Sequence, residues 1–147
     1  MSLHARTVAS FAQAYPLAFL ITATLLGLFE AMFDWGIGLL GAAIPVLIAS
    51  NRAAETYAAT PDRRPDAAEA WWLAGEMGAL AMAISTMIIL LFALPLIILS
   101  GAGEILEQAS AALGPGALLA SALAGAGLAV LVVRVALPMQ VDAARRR

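Results

Sequence analysis

Residues Met77 to Gly103 read MGALAMAISTMIILLFALPLIILSGAG, with no ionisable side chain between Glu76 and Glu104. About 20 apolar residues at about 1.5 Å rise cross the roughly 30 Å hydrocarbon core of a bilayer, so this run crosses with residues to spare. A buried core helix of a soluble protein is usually shorter and carries a polar stripe, and this stretch has neither property. It predicts a transmembrane helix, and the rest of the chain is read outward from it.

The composition agrees. Of 147 residues, 63% are hydrophobic and 12% charged, and the mean hydropathy is +0.92. Soluble domains are about 45–50% apolar and about 25% charged, so both values point to lipid. With no cysteine, disulfides, thiol catalysis and Cys-ligated metal clusters are excluded. The single His4 makes no metal site by itself and is expected to be solvated. No cofactor is expected, and a net charge of -2 gives no argument for nucleic acid.

Four spans are predicted, in a single domain. The first covers about 12–33, with Pro16 at its start, where a missing N–H costs little. Its apolar run ends in Glu30 and Asp34 without a small-residue cleavage pattern, so it reads as a retained span rather than a signal peptide. The second covers about 36–57 and is the shortest charge-free run. It reaches spanning length if Arg52 extends to the headgroups, and the rival reading is a re-entrant hairpin.

A polar loop, 58–69, follows. Asp66 and Glu69 have the spacing of a capping box, so the third span, about 70–99, begins just after them. Trp71 and Trp72 mark its interface, and Pro95 is expected to kink or loosen its last turns. The outer loop, 100–115, carries Glu104 and Glu107 in a short amphipathic turn that Gly114 and Pro115 break. The fourth span is about 116–137. Pro138 is read as a stop signal, and the polar tail QVDAARRR as frayed.

These boundaries sort the arginines. Arg6, Arg52, Arg63, Arg64 and Arg145 to Arg147 fall on one side with Arg134 near it, and the opposite loops hold Glu30, Asp34, Glu104 and Glu107 without a basic residue. Short basic loops stay in the cytoplasm, so both termini and the central loop are expected there. The fold class is thus all-α and integral to a membrane, a four-helix up-down bundle with both termini inside.

Charge near the bilayer marks the candidate residues, because an unpaired ion there is costly. Glu76 and Arg134 each sit about one turn inside the boundary and are expected to pair between helices, with Arg52 or Glu55 nearby; the alternative is that each extends separately to the headgroups. Glu30 is either a membrane-embedded carboxylate of the kind used by small four-helix multidrug transporters or, with Asp34, an outer boundary mark. Ser121, Gly125 and Ala129 form a small-xxx-small ridge that lets helix backbones approach within the bundle or against another subunit. No zinc-protease, phosphate-loop or Ser-His-Asp pattern occurs, so no catalytic residue is assigned.

One short motif adds to this. Tyr57 ends a small-residue helix, and Arg63, Pro65 and Glu69 follow as R-x-P-x-x-x-E before another apolar span. Over residues 40 to 80 this resembles a family of small, uncharacterised bacterial four-helix inner-membrane proteins. In that family the residue after the Pro is usually Thr; here Asp66 stands there and preserves N-capping chemistry. The resemblance implies an inner-membrane protein and brings no catalytic residue with it. The expected role is non-enzymatic, an accessory or assembly subunit of a larger membrane complex whose partners are lipid and other membrane subunits or further copies. The alternative is a small homo-oligomeric transporter or channel using Glu30 or Glu76.

Overall fold

The computed structural model describes residues 2–34, 41–61, 63–101 and 103–146. Among these residues the chain is all helix and turn, without a strand. The elements are α1 (Leu3–Phe33), α2 (Ala43–Ala58), α3 (Ala67–Ile88), a π-helical turn (Ile89–Ala93), α4 (Leu94–Leu99) and α5 (Gly103–Ala144). Three stretches are long and apolar enough to cross a membrane: Leu3–Phe33, Ala67–Leu99 and Leu119–Ala144. α2 has 16 residues, about 24 Å of helix, which is short of the hydrocarbon core by itself. Residues 36–40 of the expected second span lie outside the described residues.

Local chemistry explains the ends. The Ser2 hydroxyl accepts the Ala5 amide at 3.2 Å and starts α1 well before the expected residue 12. Pro16 is therefore inside a helix of 31 residues rather than at its start. Asp66 caps α3 as its position predicts, accepting the Glu69 amide at 2.7 Å. The loosening expected from Pro95 lies just before it, where the Leu94 amide bonds back to the Ile89 carbonyl in the π register. The outer loop is shorter than expected, because helix resumes at Gly103. The Gly114–Pro115 break appears as a single non-helical residue, Gly114 at φ 70° and ψ 160°, inside α5. A side chain at that φ would be strained, which is why glycine stands there.

Two expectations for the tail are corrected. α5 does not stop at Pro138 but runs through it to Ala144. Pro138 removes only one backbone hydrogen bond, and buried Leu137 and Val141 hold the helix down on either side of it.

α2 packs on α1 and α5, and α3 packs on α5 and α1. Consecutive α2 and α3 therefore sit across a diagonal, joined by residues 59–66. The core is small-residued, with Ala49, Ala53, Ala54 and Ala74 fully buried beside Phe11, Tyr57 and Leu73. Phe11 stacks on Tyr15 at 5.5 Å between ring centroids, and the Tyr15 hydroxyl meets Ser85 Oγ at 2.8 Å.

The packing occupies only part of the length. Among the described side chains, burial on α1 ends at Thr22, on α3 at Ala81, and on α5 begins at Ala129. Beyond those levels Leu25, Leu28 and Met32 of α1, Met87 and Leu90 past the middle of the third stretch, and Leu119 and Leu123 of α5 are all exposed.

Candidate functional site

The packed end collects the start of α1, the loop 59–66, the start of α3 and the end of α5, and with them most of the arginines. Its centre is Glu69. Tyr57, fully buried at the end of α2, donates its hydroxyl to Glu69 Oε2 at 2.8 Å, and Arg63 donates to Oε1 at 3.2 Å. The capping box is therefore half-formed. Asp66 caps the helix, but the Glu69 carboxylate turns to Tyr57 and Arg63 rather than back to the Asp66 amide. Arg63 and Glu69 meet across the segment that holds Pro65, so the R-x-P-x-x-x-E spacing has a structural consequence here.

The end of α5 clasps this loop. Arg64 reaches Asp142 at 3.2 Å, and Arg145 donates to the carbonyls of Thr60 and Arg63. One turn deeper, the Ser50 hydroxyl donates to Gln140 Oε1 at 2.9 Å while Gln140 Nε2 donates to the Leu47 carbonyl at 3.2 Å. The tail expected to fray is thus held by side chains on two other elements. On the α1 side, the Ser10 and Thr56 hydroxyls meet at 2.8 Å.

The expected ion pair does not form. Glu76 accepts from His4 Nε2 at 2.9 Å, linking α3 to the start of α1. His4, expected to be solvated, is only about one-third exposed. The Arg134 guanidinium lies over the Trp71 ring, 5.4 Å from its centroid, and Arg52 bonds Glu55 on its own helix at 3.0 Å. The reason is azimuthal: at about 100° per residue, Glu76 sits about 140° round α3 from Trp71, so the two face different neighbours. Direction round the helix was not legible in the sequence.

No protein-family model, curated protein or solved structure matches this chain.

The other candidates fall elsewhere. Glu30 is exposed at the far end of α1, about 39 Å along that helix from His4 and hence from Glu76. Glu30 and Glu76, the alternative carboxylates of the transporter reading, thus sit at opposite ends of α1. Of the small-residue ridge, Ala129 is buried, whereas Ser121 is exposed and a Cβ on Gly125 would meet nothing within 4 Å. The close approach is made instead by Gly78, where a Cβ would come 2.6 Å from Val130 Cγ2. Gly78 gave no ridge signal, because its place in the contact is shared with a residue on another helix.

Among the described residues no three His, Asp or Glu side chains converge as a metal site would need. Each described carboxylate at this end is engaged: Glu55 with Arg52, Glu69 with Tyr57 and Arg63, Glu76 with His4, Asp142 with Arg64, and Asp66 with a helix amide. Chemically the arrangement holds elements together.

Proposed function

We propose that this chain is a non-enzymatic integral protein of a bacterial inner membrane that serves as an accessory or assembly subunit of a larger membrane complex. In this reading α2 and the residues before it form a fourth crossing of an up-down bundle. Both termini and loop 58–69 lie in the cytoplasm. The orientation is supported by the gathering of Arg6, Arg63, Arg64, Arg145 and Arg146 at one end, since short arginine-rich segments are kept on the cytoplasmic side.

The observation that carries the subunit role is the half-length packing. Among the described residues the helices meet at the arginine-rich end and leave apolar side chains exposed at the other, with Leu25 61%, Leu28 57% and Leu119 63% exposed. In lipid, helix association depends on close packing rather than on a hydrophobic drive, so faces left open on α1, the third stretch and α5 are available to helices of neighbouring subunits.

The test is affinity purification in a mild detergent, followed by identification of integral membrane proteins in stoichiometric amount. The expected result is at least one such partner, displaced by Leu25→Trp or Leu28→Trp while the chain keeps its own helix content. Material that runs only as a free monomer and brings nothing with it would refute the subunit role.

A further inference from the structure

Arg134 stands apart from the other arginines at this end. Arg52, Arg63 and Arg64 each reach a carboxylate, Arg145 reaches carbonyls, and Arg6 and Arg146 are exposed. Arg134 is half-buried on α5, its Nε is buried without a hydrogen-bond partner, and its guanidinium lies over the ring of Trp71. A partly desolvated guanidinium calls for an anion, and the described residues put none within ion-pair reach of it.

Its depth identifies the kind of anion. Arg134 precedes Asp142, which meets the loop at Arg64, by eight residues of helix, about 12 Å. Trp71 and Trp72 flank this level and are 52% and 71% exposed, as aromatic residues are where headgroups meet acyl chains. Gly127 and Leu123 share the Arg134 face of α5 by helical spacing. Both are exposed, and a Cβ on Gly127 would meet nothing within 4 Å, so this face offers an open track toward the middle of the membrane.

We infer that Arg134 and Trp71 form a headgroup site for an anionic phospholipid of the leaflet at the arginine-rich end. The terminal guanidinium nitrogens donate to the lipid phosphate, Trp71 holds the guanidinium against its ring, and an acyl chain lies along Gly127 and Leu123. A zwitterionic lipid offers the same phosphate with a cation beside it, so the net attraction favours the anionic one. This rests on the membrane reading above.

The test uses the full chain with Trp71 as its only tryptophan (Trp35→Phe, Trp72→Phe), reconstituted in phosphatidylethanolamine vesicles. Quenching is compared between brominated phosphatidylglycerol and brominated phosphatidylcholine. Trp71 should show about fivefold stronger apparent association with the anionic lipid. Arg134→Gln should abolish that preference, Arg134→Lys and Arg52→Gln should keep it, and a chain with Trp72 as its only tryptophan should show less of it. The Trp72-only chain (Trp35→Phe, Trp71→Phe) keeps Arg134 but lacks the ring that holds its guanidinium, so it tests the site even if Arg134→Gln does not fold, and a full preference there would overturn the role of Trp71. Equal quenching of Trp71 by the two lipids, or a preference unchanged in Arg134→Gln, overturns the site and leaves membrane residence standing. Quenching by neither lipid overturns membrane residence itself. Loss of the preference in excess inorganic phosphate would make the occupant a soluble anion and overturn the lipid assignment.

Discussion

Glu69 is the residue on which the packed end turns, because it accepts from a buried hydroxyl and an exposed guanidinium at once. The two partners should not weigh equally. Arg63 is 56% exposed, and solvent screening keeps such an ion pair at or below about 1 kcal/mol. Tyr57 is fully buried, so removing its acceptor leaves a polar group without water or partner. Glu69→Ala should therefore cost about 2–3 kcal/mol, Tyr57→Phe about 1 and Arg63→Ala less than Tyr57→Phe. Thermal unfolding in detergent micelles gives the order, and Arg63→Ala as the most damaging of the three would contradict it. At this scale the sequence was legible where one residue acts on its own backbone, as Asp66 does. It was not legible where the partner is set by the direction a helix face takes. His4 with Glu76 and Arg134 with Trp71 were both hidden for that reason.

Among the elements, the contact between α3 and α5 is the most exacting. Gly78 faces Val130, whose β-branched side chain has little rotamer freedom in a helix. Gly78→Ala should destabilise the protein by about 1–3 kcal/mol through overpacking, and Val130→Ala in the same chain should recover part of the loss. Gly125→Ala, with open space around it, should change stability by no more than about 0.5 kcal/mol. A double-mutant cycle on unfolding midpoints reads both, and additivity of Gly78→Ala with Val130→Ala would mean that the helices do not meet there. The spacing of small residues pointed to Ser121, Gly125 and Ala129, but Ala-rich helices generate that spacing on every face. What selects one face is the neighbour, which in this fold reaches Ala129 and not Ser121. Helix breaks were legible at Pro95 and Gly114, which act on the backbone locally and disturb the helix near where the sequence places them, but not at Pro138, which the packing of Leu137 and Val141 carries through.

The whole molecule has two unlike halves, one tied by hydrogen bonds and one open. The three long apolar helices and the gathering of arginine at one end were legible, because length, apolarity and charge are sums that do not depend on azimuth. The open half was not, since a side chain facing lipid and one facing another helix have the same apolar character. The proposed orientation leads to a direct measurement. A fluorescent protein fused after Arg147 should mature in the cytoplasm and an alkaline phosphatase there should be inactive, whereas phosphatase inserted near Ser100 should be active. The reverse pattern would invert the topology.

The clasp of Asp142 and Arg145 on the loop also has a temporal side. Both residues follow everything they bind, so during translation the carbonyls of Thr60 and Arg63 and the Arg64 guanidinium stay hydrated until α5 has left the ribosome. On the proposed membrane reading the first helices can enter the bilayer early, but this end can lock only after the last one has arrived. A nascent chain arrested before Asp142 should still insert, yet remain open to protease at the loop.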